Sequence, residues 1–233
     1  LARLFVACAT QLVSCERASR GFIVIGIKTK QPVRRSRPRS FDRQHALCAA
    51  LRVFRERGYE GTSIADLQEA LGGLSPPSLY AAFGSKEALF MEAVELYTGQ
   101  IRAAADRAVA GAPTTKAKVE ALLQNAVLAT TESGEPRGCL LVQGAIACSP
   151  SSDNVQRYLH ELRRATHRTV TQCLKEGLAS GELRARTDIA GLASFYTTLI
   201  HGLAIQARDG ASRAALMATV DRAMLAWDAL VCS

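Results

Sequence analysis

Few of the side chains capable of covalent or metal chemistry are spaced so that they could act together. Cys139 is the best placed, two residues after Arg137 and at the expected start of a helix, a setting that favours the reactive thiolate. Such a thiol would suit a redox- or electrophile-sensitive switch. A small apolar residue at a helix start is the plainer reading, because buried cysteine is usually inert. His160 and His167 lie two turns apart on one helix face, but Arg163 and Arg164 stand between them, where a metal ion would need carboxylates or thiols. Neither a metal nor a cofactor is expected. The seven cysteines (Cys8, Cys15, Cys48, Cys139, Cys148, Cys173 and Cys232) include no C-x-x-C pair, which argues against zinc knuckles and thioredoxin-type motifs and points to reduced thiols. G-x-S-x-G, H-E-x-x-H and a phosphate-cradling glycine loop are also missing from the sequence. The chain does not read as an enzyme.

The other chemistry to look for is recognition, and it depends on how short helices are placed. Ala46, Ala49, Ala50, Val53 and Phe54 recur at three-to-four spacing, which predicts an amphipathic helix over 42–57, capped by Asp42 and closed by Gly58 in the left-handed region. Thr62-Ser63 with Asp66 forms a capping-box variant opening a helix over 64–71, which stops at Gly72-Gly73. Ser75 then precedes Pro76 and Pro77, favoured in a first helical turn, and predicts a helix over 76–83 ending at Gly84. Ser85 caps a long helix over 86–109, with Leu89, Phe90, Ala93, Leu96 and Tyr97 on one face. Two short helices joined by a glycine-containing turn form a helix-turn-helix, with Ile64, Leu67, Leu71, Leu74, Leu79 and Phe83 facing inward. The second helix is too short to stand alone, so packing must hold it, and a short helix held that way suits the major groove. Helix pairs of this kind also occur in bundles that bind nothing, so geometry alone leaves both a DNA-binding and a protein-interaction reading open.

The residue types within this frame go further. Over about residues 41–97 the chain resembles the N-terminal DNA-binding domain of the TetR (tetracycline repressor) family. The match rests on Phe54, the Gly58-Tyr59-Glu60-Gly61-Thr62-Ser63 turn, Ile64, the Leu-Ser-x-x-Ser-Leu-Tyr run ending at Tyr80, and Phe83-Gly84-Ser85-Lys86. The resemblance implies that Thr62 and Ser63 grip phosphate at a helix N-terminus, with Tyr80 and Lys86 adding a hydroxyl and a charge. It assigns base reading to the exposed side of the second helix: Ser75, Pro76, Pro77, Ser78, Ala81 and Ala82. Here the sequence departs from the more polar recognition helices of the family, since the prolines and alanines can make only apolar contacts, for example with thymine methyls. Specificity then leans on Ser78, on a basic arm ahead of the first helix, and on DNA shape.

Charge is the second departure. Residues 41–97 carry five basic and eight acidic groups, a net −3, whereas residues 1–40 hold nine basic residues against Glu16 alone. The whole net charge of +8 therefore belongs to the first 40 residues. Phosphate neutralisation supplies most non-specific DNA affinity, so Arg34, Arg35, Arg37 and Arg39 are expected to form a minor-groove arm. Residues 1 to about 27 are read as non-native upstream translation or as disordered, in preference to a signal peptide, and 28–40 as a flexible basic arm. No apolar run approaches the ~18 residues that span a bilayer, the longest being Gly21 to Ile27.

Beyond Gly111-Ala112-Pro113 the pattern predicts helices over 115–130, 139–147, 153–179, 188–208 and 212–231, with no alternating strand. The fold class is all-α. The resemblance implies a helix-turn-helix domain over 41–86, a long linking helix over 86–109, and a C-terminal effector-binding and dimerisation domain over 87–233. It also implies a homodimer through helices 188–208 and 212–231, reading a near-palindromic operator in double-stranded DNA, with no membrane partner and a cytoplasmic, nucleoid-associated place in a bacterium. The implied function is a ligand-responsive repressor of transcription. The alternatives are a cysteine-based redox or electrophile sensor of the same fold, or an activator. An unknown small-molecule effector would sit among Phe90, Val127, Leu128, Leu141, Ile146, Tyr158, Leu162 and Phe195, each of which could equally be plain core. Arg137-Gly138-Cys139-Leu140-Leu141 resembles a turn found in one subgroup of the family.

Overall fold

The computed structural model describes residues 42–132, 135, 137–144 and 152–232, and helix is the only regular secondary structure among them. The arm arginines 34, 35, 37 and 39 and Ile146 lie outside the described residues. Side-chain caps set the first four helices. α1 (Arg43–Arg57) starts at Asp42, whose carboxylate accepts the N–H groups of Gln44 and His45. It closes at Gly58, with φ 73° and ψ 180°. That is an extended glycine-only region rather than the predicted left-handed helical one. α2 (Ile64–Ala70) opens on a full capping box: Asp66 N–H donates to Ser63 Oγ, and Ser63 N–H donates to the Asp66 carboxylate. α3 (Pro76–Phe83) starts at Ser75 with prolines in its first two positions, and α4 (Lys86–Ala110) starts at Ser85.

Six further helices follow: α5 (Thr115–Thr130), α6 (Leu140–Gln143), α7 (Asp153–Ala179), α8 (Ile189–Arg208), α9 (Arg213–Leu225) and α10 (Trp227–Cys232). Two differ from the sequence pattern. The helix expected over 139–147 is a single turn as far as Gln143, and the one expected over 212–231 breaks at Ala226 into α9 and α10.

Two apolar clusters hold the helices together. In the first, Leu47, Ala50, Leu51 and Phe54 of α1 and Leu67, Leu79 and Phe83 of α2 and α3 pack on Leu89, Phe90, Ala93 and Val94 of α4. Phe54 meets Phe90 edge-on, with ring centroids 5.0 Å apart. Leu140, Leu141, Val155 and Leu159 belong to the same cluster, so buried apolar contact continues past residue 86 into α6 and α7. The second cluster joins Val119, Leu123 and Val127 of α5 to Val170 and Leu174, Leu192, Tyr196 and Leu203, Leu216 and Val220, and Trp227. α8 is long and apolar enough to cross a membrane by length and composition, but it packs along α5 and α7 and touches α9.

Candidate DNA-binding surface and effector cavity

α3 buries Leu79 and Phe83 and turns Ser75, Pro76, Pro77, Ser78, Tyr80 and Ala81 outward. Six of the predicted recognition residues thus share one exposed surface, at the start of a helix that α2 and α4 hold in place. The Ser75 and Ser78 hydroxyls lie 2.9 Å apart, so each retains capacity for an outside partner. Ala82 is only half exposed, and its carbonyl accepts from Arg43 Nε at 3.3 Å.

The basic side chains of this unit are engaged internally. Arg43 pairs with Glu92 at 2.7 Å and lies over the Phe83 ring, and Arg57 pairs with Asp66. Arg55 is buried against Glu135 at 2.8 Å. The Lys86 ammonium sits 4.4 Å above the Tyr59 ring centroid, and burial pulls its pKa below the ordinary lysine value, with Glu60 and Asp66 pulling the other way. Thr62 is buried, and its hydroxyl donates to the Gly58 carbonyl at 2.6 Å. It fastens the turn instead of presenting a hydroxyl to phosphate. The exposed Ser63 hydroxyl also serves the turn, donating to Asp66 and capping α2. Hydrogen bonds from Ser63 hold the Asp66 carboxyl below its usual range, aided by Arg57.

A cavity of about 150 Å3 lies between α4, α5, α7 and α8. Tyr97 and Ile101 of α4, Leu122 and Asn125 of α5, Leu162 and Val170 of α7 and His201 of α8 line it, with Cys139 and Leu141 closing one wall. Arg102 and Asp106, both exposed, are the lining residues of unambiguous charge. Burial and the neighbouring Arg163 push the His201 pKa down, so its imidazole is neutral at neutral pH. The Tyr97 phenol is pushed well up by burial, with Cys139 adding to the effect and Arg55 opposing it. Arg55 reaches the same ring from α1, 5.2 Å from its centroid.

Residues 46–93 match the family described as bacterial regulatory proteins, tetR family, and residues 115–223 match the tetracyclin repressor-like C-terminal domain. The HTH-type transcriptional repressor ComR of Escherichia coli is 34% identical over 201 residues, 84% of this chain and 94% of that protein. The chain belongs to the tetR family of bacterial regulatory proteins. BdcR, another E. coli HTH-type transcriptional repressor, is 29% identical over 185 residues, 78% of this chain and 87% of that protein. A cysteine mutant of the TetR family regulator CifR, solved with 26-bp operator DNA, superposes with a TM-score of 0.77 at 45% identity, covering 82% of this chain and all of that one. The protein is accordingly an all-α, DNA-binding transcriptional regulator of the tetR family, and not an enzyme.

The walls of the cavity differ from those predicted. Of the eight expected lining residues, Leu141 and Leu162 are in place. Phe90 is core against Phe54 and Tyr59, and Val127 is core in the second cluster. Tyr158 faces an open groove with Glu87, Met91 and Arg157. Leu128 and Phe195 are 46% and 39% exposed, on outer faces. Tyr97, Asn125 and His201, which add polar groups to the wall, are not among the residues the sequence assigns to the cavity. The signal for Tyr97 and His201 was a hydroxyl and an imidazole set within otherwise apolar stripes. Cys139 does line the cavity, but Arg137 turns away from it to donate to the carbonyls of Ala207, at 2.8 Å, and Ala211. His160 is exposed, and His167 lies 3.4 Å from the Thr171 hydroxyl. No group of metal-binding side chains occurs among the described residues.

Proposed function

We propose that this regulator is a ligand-responsive repressor: a homodimer holds a near-palindromic operator, and a small molecule entering the cavity releases it. One observation carries this reading. α4 supports the helix-turn-helix with its first half and supplies Tyr97, Thr98, Ile101 and Ala105 to the cavity with its second. A molecule in the cavity therefore pushes on the helix that positions α3, and a small tilt there changes the spacing of the two recognition helices in a dimer. The naming of ComR and BdcR as repressors supports repression, and the CifR complex supports operator binding by this fold. The DNA contacts assigned are Ser75, Pro76, Pro77, Ser78, Tyr80 and Ala81 on α3, Lys86, the backbone around Ser63, and the arm arginines 34, 35, 37 and 39. Such a protein works in the bacterial cytoplasm, at the nucleoid.

The test is binding to the DNA upstream of the protein's own gene and its neighbour, read by fluorescence anisotropy at several salt concentrations. Wild-type protein is expected to bind with a steep salt dependence, and removal of residues 28–39 is expected to weaken binding and flatten that dependence by roughly 0.9 per lost phosphate contact. Unchanged affinity would remove the arm from the mechanism. A reporter that falls silent when the regulator is deleted would mean activation.

A second reading rests on the position of Cys139 in the cavity wall. An electrophile entering there would form a bond to the thiolate sulfur, and N-ethylmaleimide is a suitable probe, its alkene taking the sulfur on one carbon and a proton on the other. Release of operator by N-ethylmaleimide from wild type but not from Cys139→Ser would support sensing through this thiol. Equal behaviour of the two proteins would dismiss it.

A further inference from the structure

The Tyr97 hydroxyl ends inside the protein without a well-formed hydrogen bond. The residue is 4% exposed, it lines the cavity, and its hydroxyl makes no hydrogen bond at normal geometry among the described residues. Leaving a buried hydroxyl unpaired is costly, which makes such a group a candidate for an outside partner. The Leu140 N–H and the Cys139 thiol already act on the phenol. The N–H faces the phenol oxygen and the thiol is only a weak acceptor, so the O–H donor keeps capacity for a better one.

Charge and size narrow the partner. Among the described residues no Lys or Glu lines the cavity; Arg102 and Asp106 are exposed and of opposite sign, and His201 is neutral at neutral pH. Arg55, 5.2 Å from the Tyr97 ring centroid, is already paired with Glu135, so an ion placed beside Tyr97 would lose its hydration without gaining a dedicated counter-charge. A volume of about 150 Å3 matches a benzene-sized guest. We propose that the cavity takes an uncharged, ring-sized molecule bearing a hydrogen-bond acceptor, and that the Tyr97 hydroxyl donates to that acceptor.

This assignment names the ligand class for the effector role proposed above and rests on it, so binding and release must be measured separately. Binding to the full chain is read by calorimetry with four probes that share a six-membered ring: cyclohexanone, methylenecyclohexane, cyclohexanecarboxylate and cyclohexylammonium. Cyclohexanone is expected to bind with Kd of about 1 mM, typical of a ligand with so few atoms. Tyr97→Phe is expected to weaken cyclohexanone about tenfold and to bind methylenecyclohexane as wild type does. Equal losses for ketone and alkene would signal a damaged cavity and overturn the hydrogen bond. Tighter binding of either charged probe, or no ketone binding at about 20 mM, would overturn the ligand class. Operator release is followed by anisotropy in the same samples. Tyr97-dependent binding without release sustains the site and removes its effector role. Release by a charged probe alone sustains the effector role and removes this ligand class.

Discussion

Tyr196 carries another buried hydroxyl without a partner among the described residues, but it is packed between Phe195 and Trp227 in the second cluster, away from the cavity wall. Burial pushes its phenol up to about 12, so it stays an uncharged hydroxyl that gains nothing from its site. Tyr196→Phe is expected to raise stability by about 1 kcal/mol in urea unfolding. A fall of that size would show that the hydroxyl is satisfied inside the core, for example by a buried water. His201 gives a pH dependence. Its folded pKa lies below the ordinary 6.5, so the unfolded chain takes up a proton more readily. Its contribution to stability is thus complete above about pH 6.5 and lost as pH falls through the folded pKa. His201→Gln is expected to lose less stability than wild type between about pH 7 and pH 5, as read by thermal unfolding. Side chains that act within one turn of chain were legible from sequence, as the caps at Asp42, Ser63, Ser75 and Ser85 show. Those answering to distant partners were not. Arg137 was read beside Cys139 because it is two residues away, yet its donors go to carbonyls 70 and 74 residues along the chain.

Helix starts and lengths follow from local periodicity, which is why α1 to α5, α7 and α8 fall where the pattern puts them. No glycine or proline marks the break between α9 and α10, so 212–231 reads as one helix in sequence. The cavity was less legible still, because four helices from different parts of the chain meet there and their relative rotation decides which faces line it. The same long-range packing creates a latch on the helix-turn-helix. At the end of α8, Arg208 donates to the carbonyls of Arg55 and Glu56 at 3.1 and 2.7 Å, and to Gln143 at 2.8 Å. The last turn of α1 leaves carbonyls that lack helical donors, and this guanidinium supplies them. Gly138 makes the approach possible: its φ is 88°, and a Cβ there would lie 2.3 Å from Gln143 Nε2 and 3.1 Å from Arg208 Cβ. Arg208→Ala is expected to cost about 1–2 kcal/mol, less than a buried charge would, since Arg208 is itself exposed. Hydrogen exchange should locate the loss, with amides in the last turn of α1 exchanging about tenfold faster. Uniform acceleration across the chain would mean that Arg208 supports the whole fold and is no specific latch.

At the scale of the whole molecule, charge and apolar surface point the same way: a single copy is incomplete as a DNA binder. The helix-turn-helix unit is acidic and Arg43, Arg55, Arg57 and Lys86 are engaged internally, which is why the function proposed above assigns phosphate neutralisation to the arm and to two units acting together. The outer faces of α8 and α9 leave Phe195 39%, Ile205 43% and Leu225 81% exposed. On α8, Phe195, Thr198, Gly202 and Ile205 share one stripe, a pattern of large and small residues that a second helix can pack against. Large apolar side chains gathered on one face of a monomer indicate a surface made to be covered. In the dimer proposed above, a two-fold axis through this face would cover it with its own copy, and reading a near-palindrome calls for two α3 helices about one DNA turn, ~34 Å, apart. A carboxylate at the most exposed of these positions would be buried without a partner in such a dimer, and tolerated in water. Leu225→Glu is therefore expected to shift the protein from dimer to monomer in sedimentation velocity, with helix content unchanged by circular dichroism. Operator affinity should fall about 100-fold or more with it, because each monomer then holds a half-site alone. A Leu225→Glu protein that still sediments as a dimer would place the interface elsewhere. A monomer with undiminished operator affinity would separate dimerisation from recognition.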